Sequence, residues 1–473
     1  MSEAEKTAVR RRPLGITVLG DFLLSEGISA VLENIRRAGA TAVACNPTVT
    51  AAANEGTGSF QPPIDRGSSP RVFDRLLFGK PSLWVRSGVS YRPHASFYRN
   101  SLYGPRKPND LTEAHGAIVA EFIDAAVRDG LKVYLQIGAA QPTGLRNEDR
   151  PRLPDGRVSG ERMADTGSLA SEAIRGYNRA YTRDLLTAYP QVHGLRIDWP
   201  EYPCYTFDEV FHDFNPAIGR WAEQRDIDFA AVQKSVAELF RRLQSRLTNA
   251  HLKTIVDADR PEDGARDVIE QLGVSVADIT AWLRLKSLLS TDLIADWRAA
   301  LDECGPGREL IAHAFMPPYT TLTGFDFAAA AEIADVVSPK FYTMHWSLMI
   351  QFWGEVLLES NPGLDERLLV QSLVKLTDIA DGDGGERLAD YGYPRPDEPH
   401  PIPDAPQRRK IAQACREIDG RAMLCAMAHG YGPLDDFRRR LQLVADSETD
   451  AVWINRYGYL SDAKLDAIAA IWK

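Results

Sequence analysis

Arg196, Asp198 and Glu201 fall within six residues of one another, in the stretch His193-Gly-Leu-Arg-Ile-Asp-Trp-Pro-Glu-Tyr-Pro203. An aspartate beside an arginine keeps its charge, because a nearby opposite charge favours the ionised form. A glutamate set between two aromatic residues, Trp199 and Tyr202, is expected to be partly desolvated, which raises its pKa and suits it to hold a proton. Two carboxylates in those two states, with aromatic walls, are what glycosidic-bond chemistry requires. Asp198 is therefore the candidate nucleophile or oxocarbenium stabiliser, and Glu201 the candidate acid/base. The same residues also read as a structural Arg–Asp pair that closes a strand.

The first half of the stretch alternates. Leu195 and Ile197 fall on one side of an extended chain, Arg196 and Asp198 on the other. Pro200 and Pro203 then end the strand, since proline supplies no ladder donor. Seven further segments behave likewise: Leu14–Leu19, Ala42–Asn46, Leu131–Ile137, Leu310–Phe315, Val336–Thr343, Ala422–Met427 and Ala451–Tyr457. Segments with helical spacing lie between them, among them Ile28–Ala38, Leu111–Asp129, Ser168–Tyr189 and Leu434–Val444. Pro339 is awkward for a central strand. Eight strands alternating with helices predict a (β/α)8 TIM barrel running from residue 13 to 473, with long βα-loop insertions. The doubly wound open sheet is the alternative, but neither a glycine-rich dinucleotide fingerprint nor a P-loop follows the first strand.

Two insertions stand out. Residues 48–109 lose periodicity and carry many aromatics, so this loop is expected to fold over the strand ends. Residues 204–306 are predicted to be a helical elaboration, and residues 1–12 a disordered tail.

In a barrel the carboxyl ends of the strands surround the site. Those ends offer Asp21, Asn46 and Gln136 from strands one to three, and Arg196, Asp198 and Glu201 from strand four. They offer His313 from strand five, Lys340, Tyr342 and His345 from strand six, and His429 from strand seven. Strand eight adds Asn455, Arg456 and Tyr457, where Trp453, Asn455 and Tyr457 share the interior side. Each single residue also reads as a hydrogen-bonded structural group. Lys340 in the interior demands an anionic partner, and Asp198 or Glu201 is the expected one.

The chain has 473 residues, 44% of them hydrophobic and 25% charged, with a net charge of −10. That is ample for a large core and carries no basic footprint for nucleic acid. The five cysteines include no CxxC pair, so neither a disulfide framework nor a structural zinc site is indicated, and a cytoplasmic setting fits best. No apolar run reaches membrane-span length, so no membrane partner is expected. No cofactor or metal is expected, and the oligomeric state is left open.

The fourth-strand residues resemble motifs of two groups of barrel glycoside hydrolases. Gly194, Arg196 and Asp198 are similar to the core of the α-amylase superfamily, which implies a nucleophilic aspartate oriented by the arginine. Asp198-Trp199 with Glu201-Tyr202-Pro203 resembles family 18 chitinases, which implies that the glutamate is the acid. The chain departs from the second pattern by the Trp199-Pro200 pair between the carboxylates, and from the first by His313 on strand five where a glutamate is usual.

The expected function is therefore a glycoside hydrolase-like activity on a small carbohydrate or glycoside. Arg196, Gln136, Trp199, Tyr202, His313, Lys340, Tyr342, His345, His429, Asn455, Arg456 and Tyr457 are the expected substrate-binding residues. Two alternatives remain at this stage. One is a metal-dependent lyase, isomerase or hydrolase that binds its ion through Asp198 or Glu201 and the three histidines. The other is a carbohydrate-binding barrel without turnover.

Overall fold

The computed structural model describes residues 12–472, apart from 66–68, 161 and 383. The tail expected over residues 1–12 lies outside the described residues as far as position 11. Arg12 itself is held: its guanidinium donates to the carbonyls of Ala445, Ser447 and Thr449 and lies over the Trp472 ring.

Eight parallel strands close into a barrel. They are β1 (Leu14–Thr17), β2 (Ala42–Cys45), β3 (Lys132–Gly138), β4 (Gly194–Asp198), β5 (Glu309–Ala314), β6 (Val336–Phe341), β7 (Met423–His429) and β8 (Ala451–Asn455). Each pairs with its neighbours in sequence, and β1 closes the ring by placing Leu14 opposite Val452 of β8 and Gly15 opposite Ala42 of β2. Helices cover the outside and side chains fill the inside, so the strands read as apolar runs. This is a (β/α)8 TIM barrel.

Two local details show how the sequence accommodates closure. An added Cβ at Gly15 would fall 2.1 Å from the Trp453 ring, which crosses the barrel interior, so a larger residue there would collide with it. Pro339 sits inside β6 and cannot donate to the Cys425 carbonyl of β7 that its register would assign it. The hydroxyl of Ser338 donates to that carbonyl instead, at 2.9 Å. The substitute bond explains how a proline is tolerated in a strand paired on both sides.

The excursion after β2 is more ordered than its composition predicts. Thr48–Ala52, Ser59–Gln61 and Leu83–Val89 form a three-stranded antiparallel sheet with Leu83–Val89 in the centre. Its strands are short and rich in Ser, Thr, Gly and Ala, so they leave no strong alternation to read. The chain beyond it is pinned by Asp184, whose buried carboxylate accepts from the hydroxyls of Tyr91 and Tyr98 and from the backbone N–H of His94. Six helices fill residues 207–303, and the longest, Val276–Glu303, lies against the Glu172–Ala188 helix. There Arg175 pairs with Asp292 and Asp296. Among the described residues, no helix is long and apolar enough to cross a membrane.

Candidate active site

The register of the strands stacks the interior side chains in layers. Thr17, Tyr134, Gln136 and Trp453 form the floor, where the Trp453 indole donates to Thr17 at 2.8 Å and Thr17 donates to Gln136 at 3.3 Å. Beside them lies Arg196, opposite Gln136 in register and fully buried, with its guanidinium carbon 3.6 Å from the centroid of the Trp453 ring. Among the described residues its Nε and Nη1 find no hydrogen-bond partner, and Nη2 reaches the Met427 sulfur at 4.0 Å. Burial pulls its pKa down to about 10.

Asp198 ends β4 in the next layer, where its side chain keeps 30% of its surface exposed. Its Oδ1 lies 2.7 Å from Lys340 Nζ of β6 and 3.3 Å from His313 Nδ1 of β5. Burial pushes the Asp198 carboxyl up, but Lys340 and His313 outweigh it and hold the carboxyl well below the usual range. His313 is driven down to about 4 by burial and by Arg196, so it is neutral at neutral pH. The Lys340 ammonium lies 4.5 Å from the Trp199 ring and 5.3 Å from the Phe315 ring. Trp199 takes a left-handed backbone, φ 58°, which costs a non-glycine residue about 1–3 kcal/mol. That turn carries the chain sharply away from Asp198.

The wall is polar and aromatic. Asn455 donates to the Tyr342 hydroxyl at 2.7 Å, and the Tyr342 ring meets His429 edge-on. His429 accepts from the Tyr431 backbone N–H. His345 is hydrogen-bonded through Nδ1 to the Tyr205 hydroxyl at 3.2 Å and through Nε2 to Tyr393 at 3.3 Å, and lies 3.5 Å from Asp65. Asp65 pairs with Arg71 at 2.6 Å, so the excursion after β2 does reach His345 on the β6 side of the mouth. Burial opposes the Asp65 charge, while His345 and Arg71 hold its pKa low. Asp65, Arg71, Tyr205 and Tyr393 were not singled out from sequence. Only the aromatic content of their segments hinted at them, because they converge through long-range folding.

Three expected residues lie elsewhere. Glu201 has no exposed surface; its Oε1 accepts the Phe315 N–H at 2.6 Å and its Oε2 the Thr323 hydroxyl. Its pKa is nevertheless pushed up to about 7 by burial. Tyr202 is buried with its hydroxyl on Asp213 and the Leu169 N–H, away from the mouth. Tyr457 does not continue the interior side of β8. The strand stops at Asn455 and a 3-10 turn breaks the alternation, sending the hydroxyl to Glu26 and Asn34. Gln136, Arg196, Trp199, His313, Lys340, Tyr342, His345, His429 and Asn455 contribute to the interior or its wall, and Arg456 to its rim. Among the described residues, no three His, Cys, Asp or Glu side chains are placed to hold a metal ion. His313, His345 and His429 therefore do not make, with Asp198 or Glu201, the mixed ligand set that their strand positions allow.

No family model matches the chain, and no curated protein matches it. Solved structures do. The beta-galactosidase of the Antarctic haloarchaeon Halorubrum lacusprofundi is 12% identical with a TM-score of 0.52, covering 97% of this chain and 57% of that one. The beta-galactosidase of Marinomonas ef1 is 14% identical with a TM-score of 0.48, covering 94% and 54%. The beta-amylase catalytic domain of Paenibacillus polymyxa is 8% identical with a TM-score of 0.47, covering 98% of each. The chain spans little more than half the length of the two beta-galactosidases. At these identities the likeness is one of fold, a TIM barrel.

Proposed function

We propose that this chain is a glycoside hydrolase-like enzyme that cleaves or rearranges a glycosidic bond of a small carbohydrate or glycoside. The reading is carried by Asp198, an ionised carboxylate with 30% of its side chain open at the carboxyl end of β4, between a lysine and a neutral histidine. A fixed negative charge in that position stabilises the positive charge that develops at an anomeric carbon, or attacks it. Trp199 and Tyr342 give the site aromatic faces that suit the C–H faces of a sugar ring, and Asn455, His345 and His429 give it hydrogen-bonding edges. Glu201 is assigned a positioning role. With both oxygens taken by Phe315 and Thr323, it fixes the end of β5 beside Lys340. The unpaired cysteines support a cytoplasmic setting.

The sealing of Glu201 favours a second reading, a carbohydrate-binding barrel without turnover. A panel of aryl glycosides and natural oligosaccharides with product analysis separates the two. Release of a reducing sugar or a transferred glycoside is the expected result. Saturable sugar binding with no product from any member of the panel overturns the enzymatic reading.

A further inference from the structure

The charges around the mouth do not balance from within the protein. Most nearby arginines have carboxylate partners: Arg71 pairs with Asp65, Arg75 with Glu26 and Asp462, and Arg440 with Asp436. Arg456 is different. It follows Asn455 at the end of β8, is partly exposed, and its buried Nε has no acceptor. Among the described residues, no carboxylate lies within ion-pair distance of it. Asp21, whose carboxyl Arg456 influences, is buried and bound to the Phe22 N–H, and burial pushes it up to about 6 despite Arg456. Among the described residues, Arg196 in the interior also has no carboxylate within ion-pair distance. Asn455, the residue before Arg456, donates to the Tyr342 hydroxyl at 2.7 Å, which ties the end of β8 to the wall of the same interior.

Against Arg196, Lys340 and Arg456 the mouth opposes one open carboxylate, Asp198. Asp65 is taken by Arg71, and Glu201 and Asp21 are buried with backbone N–H groups on their carboxyls. The chain as a whole has a net charge of −10, so this local excess of cations runs against its composition. A guanidinium left without an acceptor in a partly desolvated site is costly unless an anion completes it, and its planar fork matches a carboxylate or a sulfate in two-point contact.

Building on the glycoside reading above, we propose that the sugar bound at this mouth bears an anionic substituent, a carboxylate or a sulfate, which Arg456 receives. Asp198 then addresses the anomeric carbon while Arg456, across the mouth, orients the ring by its charged group. The surrounding cations steer such a substrate inward through a field that salt weakens.

The test is titration calorimetry of the intact protein with glucuronate, galacturonate, galactose 6-sulfate, glucose, galactose and inorganic sulfate. At least one acidic sugar is expected to bind ten times more tightly than its neutral counterpart, with an advantage that shrinks as salt is raised. Whether uronates or the sulfated sugar bind identifies the anion. Arg456→Gln should abolish the preference while keeping the wild-type melting temperature, and Arg456→Lys should restore part of it. Equal binding of acidic and neutral sugars, a preference that persists in Arg456→Gln, binding of inorganic sulfate as tight as that of the acidic sugars, or binding of no sugar each overturns the proposal. Turnover of neutral aryl glycosides, measured on the same samples, tells independently whether the glycosidase reading stands.

Discussion

Replacing Lys340 with methionine should change the ionisation of Asp198 and thereby the acid side of any activity the site has. The two charges lie 2.7 Å apart, which at an effective dielectric of about 20 corresponds to roughly 6 kcal/mol of attraction before lost hydration is subtracted. Removing one member of a buried pair typically costs about 3–5 kcal/mol. Asp198 retains 30% of its side-chain surface, so we take the lower end, about 3 kcal/mol, equivalent to roughly two pH units on its titration. In the wild type the folded pKa lies below the unfolded value. Its ionisation therefore stabilises the fold above about pH 4, and that contribution is lost as pH falls through the depressed folded pKa. In Lys340→Met, burial remains as the largest influence and the neutral His313 is a weaker counterweight. A rise of about two units leaves the folded pKa at or below the unfolded value, so most of the stability gained from the ionised carboxylate disappears. The expected observations are a stability deficit that develops as pH rises from about 2 to 4 and stays level from there to about pH 7, and an acid limb of the kcat/KM profile displaced upward by about two pH units. Melting curves and initial rates across that range measure both. An unmoved acid limb together with a deficit that does not shrink as pH falls below about 4 would refute the argument that Lys340 sets the charge of Asp198.

Other outcomes follow from the same geometry. Asp198→Asn keeps the shape and removes the charge, so kcat/KM should fall about a hundredfold or more, roughly 3 kcal/mol, with an unchanged circular dichroism spectrum. Turnover within a few-fold of wild type would mark Asp198 as a structural ion-pair member. Glu201, pushed up to about 7, favours its protonated form in the fold, so its contribution is complete below its unfolded pKa and is lost as pH rises through 7. Glu201→Gln should therefore lose less stability than wild type between pH 5 and 8, by roughly 3 kcal/mol in urea titrations at the two pH values. Asp184→Ala leaves the Tyr91 and Tyr98 hydroxyls without their acceptor, and should cost about 3 kcal/mol and open residues 91–103 to limited proteolysis.

The barrel was legible from the chain because its strands are buried on both faces. Each is a short apolar run, and the turn residues and amphipathic helices between them repeat the same local pattern eight times. The inward direction of Arg196 and Asp198 follows from that local rule too, since alternate residues of a strand face opposite sides whatever the rest of the chain does. Rules of this kind stop where the strand stops. Within two residues of Asp198 and Asn455 the backbone leaves extended geometry, at the left-handed Trp199 and at the 3-10 turn of Tyr457–Tyr459. Glu201 and Tyr457 are thereby carried to places no periodicity predicts. Likewise, nothing local in Ser338 reveals that it serves the carbonyl deprived by Pro339, and nothing near Asp65 announces His345, 280 positions away in sequence. Short-range alternation and hydrophobicity determined which segments form the barrel and which residues its mouth has to draw on. Only tertiary packing decided which carboxylate stays open, which is sealed and which cations lack partners, because burial and charge balance depend on neighbours that closure of the barrel brings together.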